Sequence, residues 1–292
     1  MNISLSLARR HSIPMGVVLV VFIVLWYALA IAMNASGVIA RVLPSDWSWQ
    51  DLLAATWNMS RPVLPTPHQI IIDVYNSITQ WPVSSPRNLL YHAWVTASAA
   101  LTGFAMGTVL GIVLAIIIVH SKMLDRALLP WIVASQTIPV LAIAPIVLVI
   151  LGSLNITGLF PKAVIAMYLC FFPITIAMVQ GLRSPDKMQM ELFYTYGVTN
   201  LDTLKMLRFP SALPFLFPAC RVAIAAGLVG TMVAELPTGA QAGLGARLLV
   251  GSYYGNTLMI WSALVVASLL GLFLTGVVSV IEYWVMRNRR IA

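Results

Sequence analysis

Six stretches of this chain, at 13–33, 89–119, 128–151, 160–182, 213–234 and 259–286, each run for twenty residues or more with almost no charge. About 20 residues of helix cross the hydrocarbon core of a bilayer, so every block is long enough to span one. A spanning segment must satisfy its own backbone hydrogen bonds, because lipid offers none, and for an uninterrupted apolar run that means a helix. The chain is therefore expected to be an all-α membrane protein with six transmembrane helices. Composition agrees, since 9% of the residues are charged, against about a quarter in soluble domains.

The first block follows Arg9 and Arg10, as a signal peptide would, but it exceeds the roughly 7–15 residues of such a core. It reads as an uncleaved first span. Six spans place both termini on one side of the membrane. With that topology Arg9, Arg10, Lys122, Arg126, Arg183, Lys187, Lys205, Arg208, Arg287, Arg289 and Arg290 share the side of the termini, whereas Arg41, Arg61, Arg87 and Arg247 lie opposite. Positive charge collects on the cytoplasmic side, so both termini are expected there, in a multi-pass protein of a bacterial plasma membrane.

The net charge of +8 comes without any basic run, which argues against nucleic acid as a partner. Cys170 and Cys220 lie in apolar blocks with no Cys or His at metal or redox spacing, and no cofactor is expected. The loop 34–88 carries Trp47, Trp49, Trp57 and Trp81, residues that favour the headgroup layer, and residues 67–78 place Ile70, Ile71, Val74 and Ile78 at helical spacing for an interfacial helix. Pro130, Pro139, Pro145, Pro161, Pro173, Pro214 and Pro218 fall in the blocks, where each either kinks a span or marks its end.

Between the fourth and fifth blocks lies a wet passage, "ELFYTYGVTNLDTLKMLRFP" (191–210). Ser184, Pro185 and Asp186 suit a helix start, and Gly197 suits a left-handed stop. Asn200 suits a second start, after which Leu201, Leu204 and Leu207 make one apolar edge and Pro210 and Pro214 end the helix. By composition this pair of helices either lies on the membrane or docks a partner.

The spacing Glu191, Gly197, nine intervening residues, Leu207, one residue, Phe209 and Pro210 resembles the Glu-Ala-Ala-x3-Gly-x9-Ile-x-Leu-Pro motif of ABC importer permeases. "TASAALTGFAMGTVLGIVLAI" (96–116), "IPVLAIAPIVLVILG" (138–152), "FPSALPFLFPACRVAIAAG" (209–227) and "AELPTGAQAGLGARL" (234–248) are similar to stretches of the nitrate, sulfonate and taurine branch. The resemblance covers about residues 62–286 and implies a type I ABC importer transmembrane domain with cytoplasmic coupling helices, the permease subunit of an ATP-driven, binding-protein-dependent importer of a small solute that is nitrate-, sulfonate- or taurine-like, or pyrimidine- or vitamin-precursor-like. It divides the chain into an N-terminal span and extracytoplasmic loop, 1–61, and a permease core, 62–292. The implied partners are cytoplasmic ATP-binding subunits, an extracytoplasmic solute-binding protein, a second permease subunit, the same chain or a related one, and the lipid bilayer around them. There is no Gly-x4-Gly-Lys-Ser/Thr loop, so the chain is not expected to use ATP by that route; the resemblance implies a transport subunit and not an enzyme, with ATP hydrolysis in the partner.

The resemblance assigns ATPase coupling to Glu191, Gly197, Leu201, Leu204, Leu207 and Pro210. Leu192 and Phe193 stand where the motif has alanines, which alters the shape offered to the docking groove. Polar residues at membrane depth, Ser135, Gln136, Thr137, Thr231, Glu235 and Gln241, are candidates for the translocation path, with interhelical hydrogen bonding as an equal role for Gln136 and Thr137. Gly239, Gly243 and Gly245 form a turn beside Glu235 suited to an outer gate. Arg221, inside the fifth block, reads as a helix-pairing or snorkelling residue, and Glu282 as a partner for a nearby arginine. The alternative function is an ATP-independent secondary transporter or channel, which calls for paired acids or histidines at mid-membrane depth. The glutamates instead lie near span ends.

Overall fold

The computed structural model describes residues 2–43, 46–236 and 242–287, with side chains from Pro14 onward. Among the described residues every regular element is helical. Two compact units emerge: residues 1–89 with 247–265, and residues 90–246 with 266–292.

In the first unit α1 (Asn2–Arg41) supplies an apolar span over Pro14–Arg41. A loop folds back on it, carrying α2 (Trp49–Trp57) and α3 (Pro67–Thr79). Ser48 caps α2 and donates to the Asp51 carboxylate at 2.6 Å, a hydrogen bond that holds this acid below its ordinary range. Asn34, 1% exposed on α1, receives the Val63 amide at 2.7 Å and donates to the Leu64 carbonyl at 2.9 Å. One buried amide thus satisfies both sides of an extended loop that has no ladder of its own. Trp26 donates to the Pro65 carbonyl, and Asp73 of α3 accepts from Ser262 at 2.6 Å. The interfacial helix expected at 67–78 is present, but Ile70 is buried while Ile71 and Ile72 face outward.

The second unit is built on α7 (Leu159–Leu182) against α10 (Phe209–Glu235), with α4 (Leu89–His120) across α7. Small residues set the spacing. A Cβ built on Gly103, Gly107 or Gly111 of α4 would meet α7 at 2.4, 2.6 or 2.9 Å, on Ala166, Cys170 and Ile174 in turn. Glycine every four residues makes a groove along one helix face, and lipid-embedded helices gain most of their attraction from such close contact. Cys170, Ile174, Met178 and Leu182 of α7 then interleave with Leu216, Cys220, Ala223 and Ile224 of α10. Both cysteines are packing residues, and Cys170 Sγ lies 3.1 Å from the Ala223 carbonyl oxygen.

The block expected as one span at 128–151 is two helices, α5 (Lys122–Ser135) and α6 (Val140–Ser153), bent by 99°. Pro139 is the reason: it denies a backbone donor and disfavours helix at the preceding residue, so Gln136–Pro139 leave the helical path. The broken pair still makes one crossing. The start of α4, the start of α7 and the end of α10 meet through Thr96, Lys162 and Glu235. At the opposite end Arg183, just after α7, pairs with Asp125 of α5 at 2.9 Å, and Ser184 reaches the Ser211 carbonyl of α10. The chain leaves α4 at that second end and enters α7 at the first, so α5 and α6 together must traverse the bilayer. With α1, α4, α7, α10 and α12 (Thr257–Arg287) this makes six crossings.

A second departure lies before α10. Pro210 and Pro214 do not stop the preceding helix; it passes through a π turn, Leu204–Arg208, directly into α10. In that turn the Phe209 amide reaches the Leu204 carbonyl, five residues back. The wider turn relieves the clash that the Pro210 ring would otherwise make with the carbonyl four residues earlier. Arg221 pairs with Glu282 of α12 at 3.4 Å, the helix-pairing role expected for it.

Candidate functional site

Two polar regions stand out at opposite ends of the second unit. At the second end, α8 (Lys187–Thr195) begins two residues later than Ser184 suggested: Asp186 is its N-cap, with its own amide held by Gln189 Oε1 at 3.2 Å. The helix closes as expected at Gly197, whose φ of 67° is strained for any residue with a Cβ. The Val198 amide returns to the Phe193 carbonyl and the Gly197 amide to that of Tyr194, which satisfies the last carbonyls. Thr199, and not Asn200, caps α9 (Asn200–Thr203): its hydroxyl donates to Asp202 at 2.6 Å and receives the Asp202 amide at 3.2 Å.

No residue of α8 is buried. Glu191 is exposed, Leu192 is 52% exposed and Tyr194 87%, while Phe193 is half-buried. Leu201 is exposed in α9, whereas Leu204, Leu207 and Pro210 turn partly inward, so the three leucines do not form a single open edge.

Ser135, Gln136 and Thr137 sit together at the α5–α6 break, with Ser135 and Gln136 half-buried and Thr137 exposed. Their polar groups are occupied locally: Ser135 Oγ donates to Ile132 O at 2.7 Å, Thr137 Oγ1 to Ala134 O at 2.7 Å, and Gln136 Nε2 to Ser135 Oγ at 3.3 Å. The Tyr168 hydroxyl of α7 donates to the Ser135 carbonyl and secures the break against the core.

At the first end Glu235 has no exposed surface. It accepts from Lys162 Nζ at 3.3 Å, from Thr96 Oγ1 at 3.0 Å and from the Gly245 amide at 2.9 Å. Lys162 also donates to the Ala242 carbonyl at 3.0 Å. The same turn is held from α4, where His92 Nδ1 receives the Gly243 amide and Thr96 Oγ1 receives that of Leu244. A buried charge pair is tolerable only when its remaining hydrogen-bonding capacity is also met, and here a backbone turn supplies it. Gly243, at φ 131°, leaves no room for a side chain, because a Cβ would fall 2.1 Å from the Glu235 carboxyl carbon. Thr231 is fully buried and donates to the Gly227 carbonyl one turn back. Gln241 and Gly239 lie outside the described residues.

The structure brings Thr231 and Glu235 to one end, puts Ser135, Gln136 and Thr137 at the break, and sets the coupling candidates at the other end. The residues that sequence reasoning passed over are Lys162, Thr96 and His92. Lys162 near the start of one span and Glu235 at the end of another are opposite charges at matching depth, and that complementarity is the signal that finds the pair.

The profile of the family described as "binding-protein-dependent transport system inner membrane component" matches residues 107–291. The chain belongs to this family. The permease is 32% identical over 232 residues to the formylaminopyrimidine transport permease protein ThiX of Halalkalibacterium halodurans, covering 76% of this chain and 86% of that one. It is 32% identical over 207 residues to the riboflavin transport system permease protein RibX of Chloroflexus aurantiacus, covering 71% and 75%. To the putative aliphatic sulfonates transport permease protein SsuC of Bacillus subtilis it is 23% identical over 241 residues, covering 82% and 83%. The permease is therefore the membrane subunit of a binding-protein-dependent ABC importer, a multi-pass transport protein and not itself an enzyme.

Proposed function

We propose that residues 184–210 are the surface through which separate ATP-binding subunits drive this permease, with both termini on the cytoplasmic side. In this reading solute arrives from an extracytoplasmic binding protein at the Glu235 end, and a second permease chain completes the pathway. The observation that carries it is α8. A nine-residue helix with no buried residue, showing Leu192, Tyr194 and Met188 to the exterior, lacks the core contacts that normally stabilise a short helix. An exposed patch of this sort marks an interaction face. The eleven basic residues on the side of the termini, against four opposite, support the orientation. The family name supports the partners.

Ser135, Gln136 and Thr137 mark the path at mid-depth, since broken helices in transporters place polar groups and freed backbone there. Glu235, with Lys162, Thr96 and His92, holds the turn beside it, and Thr231 lies one turn before Glu235 on the same helix. The N-terminal region 1–61 is accessory to the core at 62–292.

Gly197→Pro tests the coupling surface. Proline requires φ near −65°, whereas position 197 sits at 67°, so the α8–α9 hinge cannot form. Co-purification of the ATP-binding subunits and ATP-driven uptake should each fall at least about tenfold, the equivalent of 1.4 kcal/mol of lost docking, while membrane insertion persists. Glu191→Ala should weaken both less severely. Full association and uptake in both variants would exclude this surface as the coupling site.

A further inference from the structure

A cavity of about 690 Å³ opens beside the buried ion pair, lined by Tyr91, Trp94 and Ser98 of α4, Gly152 of α6, Thr157 of the following loop, and Lys162. Nothing in the function described above assigns it. Its size falls in the range of small-molecule sites. Two features distinguish it from a packing gap. The Trp94 side chain is 72% exposed at this edge, so a large aromatic face is left uncovered by the protein. The Lys162 ammonium has three N–H groups, of which Glu235 Oε1 and the Ala242 carbonyl take two. The third has no acceptor among the described residues, although Lys162 is only 9% exposed and lines the cavity.

The charge balance selects the ligand. Lys162 and Glu235 neutralise each other at 3.3 Å, so a bound anion would add uncompensated negative charge beside a buried carboxylate. An uncharged acceptor takes the third N–H without that penalty. The aromatic faces of Trp94 and Tyr91 favour a flat partner.

The geometry points to a binding subsite in this cavity for a small, uncharged, planar heteroaromatic solute that presents a carbonyl oxygen or ring nitrogen to Lys162 Nζ. This inference rests on the importer reading, in which the cavity lies at the end where solute is delivered. Lys162 touches the solute and also holds the Ala242 carbonyl, so occupancy and the position of the 242–245 turn are read by one ammonium group.

The test uses the assembled transporter in lipid nanodiscs, with riboflavin and 2-methyl-4-aminopyrimidine as probes and methanesulfonate as the anionic comparison. Gly152→Phe is the blocking variant: this helical glycine lines the cavity, and a Cβ built on it meets nothing within 4 Å. Trp94→Leu removes the aromatic wall at an exposed position. At least one heteroaromatic probe should bind to the wild type, weaken about tenfold in Trp94→Leu and lose binding in Gly152→Phe, with no competition from methanesulfonate. Absence of binding by both probes at millimolar concentration, binding unchanged in the two variants, or displacement by methanesulfonate would overturn the inference. If Gly152→Phe fails to assemble, Trp94→Leu alone decides. ATP-driven uptake into proteoliposomes separates the two readings. Probe binding with no uptake of any solute defeats the importer reading and leaves the subsite, whereas uptake undiminished in Gly152→Phe defeats the subsite and leaves the importer.

Discussion

Lys162→Met is expected to destabilise the permease more than any other single change at the Glu235 end. Methionine keeps the length and apolar stem of lysine but leaves Glu235, which has no exposed surface, without its counter-charge. Breaking a buried pair on one side typically costs about 3–5 kcal/mol, because the surviving charge stays desolvated. The Ala242 carbonyl loses its donor at the same time, so the 242–245 turn loosens. Thermal unfolding of the purified permease should begin well below the wild-type midpoint, and uptake should be abolished. The double variant Lys162→Met with Glu235→Gln should recover much of the stability. A neutral amide still accepts from Thr96 and from the Gly245 amide, and no buried charge is left. A single variant that melts with the wild type would show that the pair contributes nothing, and a double variant no better than the single would show that charge is not the issue.

Gly107→Leu is expected to prevent correct assembly of α4 on α7. The first carbon of the new side chain alone would lie 2.6 Å from Cys170 Cβ and 3.0 Å from the Met167 carbonyl oxygen, atoms on or beside the α7 backbone that cannot swing aside. Overpacking in a well-packed core costs about 1–3 kcal/mol where neighbours can repack, and the rigid α7 backbone puts this position at or above the top of that range. The control is Gly276→Leu on α12, where a Cβ meets nothing within 4 Å. Monodisperse yield after detergent extraction should collapse for Gly107→Leu and stay near wild type for Gly276→Leu. Equal yields would mean that the α4–α7 contact does not limit folding.

The elements most legible in the sequence are those that lipid itself enforces. Apolar length sets where a span can lie, and four spans, α4, α7, α10 and α12, appear within a residue or two of the expected position at one or both ends: α4 at Leu89–His120 and α7 at Leu159–Leu182 are the clearest. The Gly197 stop was equally readable, since a lone glycine after an amphipathic run has a local conformational reason to be there. Prolines were less informative. Pro139 breaks its span by 99°, while Pro210 and Pro214 are carried by a π turn and a continuous helix. A proline states that a backbone donor is missing and leaves open whether neighbours compensate.

The candidate sites divide along the same line. The coupling residues follow one another within twenty positions, and their spacing carries their pattern without help from the rest of the chain. Glu235 was visible as a charge at membrane depth, but its partners Lys162, Thr96 and His92, the last through the 242–245 turn, come from spans 73 to 143 positions away in the chain. Periodicity within a helix says which residues share a face and nothing about which other helix that face meets.

By itself, then, the order of residues determined that this chain crosses a membrane six times, that a wet hinge interrupts it between the fourth and fifth crossings, and which family it resembles. Each of those depends on hydrophobic length or on local backbone conformation. Tertiary structure alone decided that Glu235 is neutralised and enclosed, that the glycines of α4 seat on α7, and that Lys162 lines a cavity shared with Tyr91 and Trp94. Those depend on contacts between helices far apart in the chain, where close packing and charge balance are set by distances that no local pattern encodes.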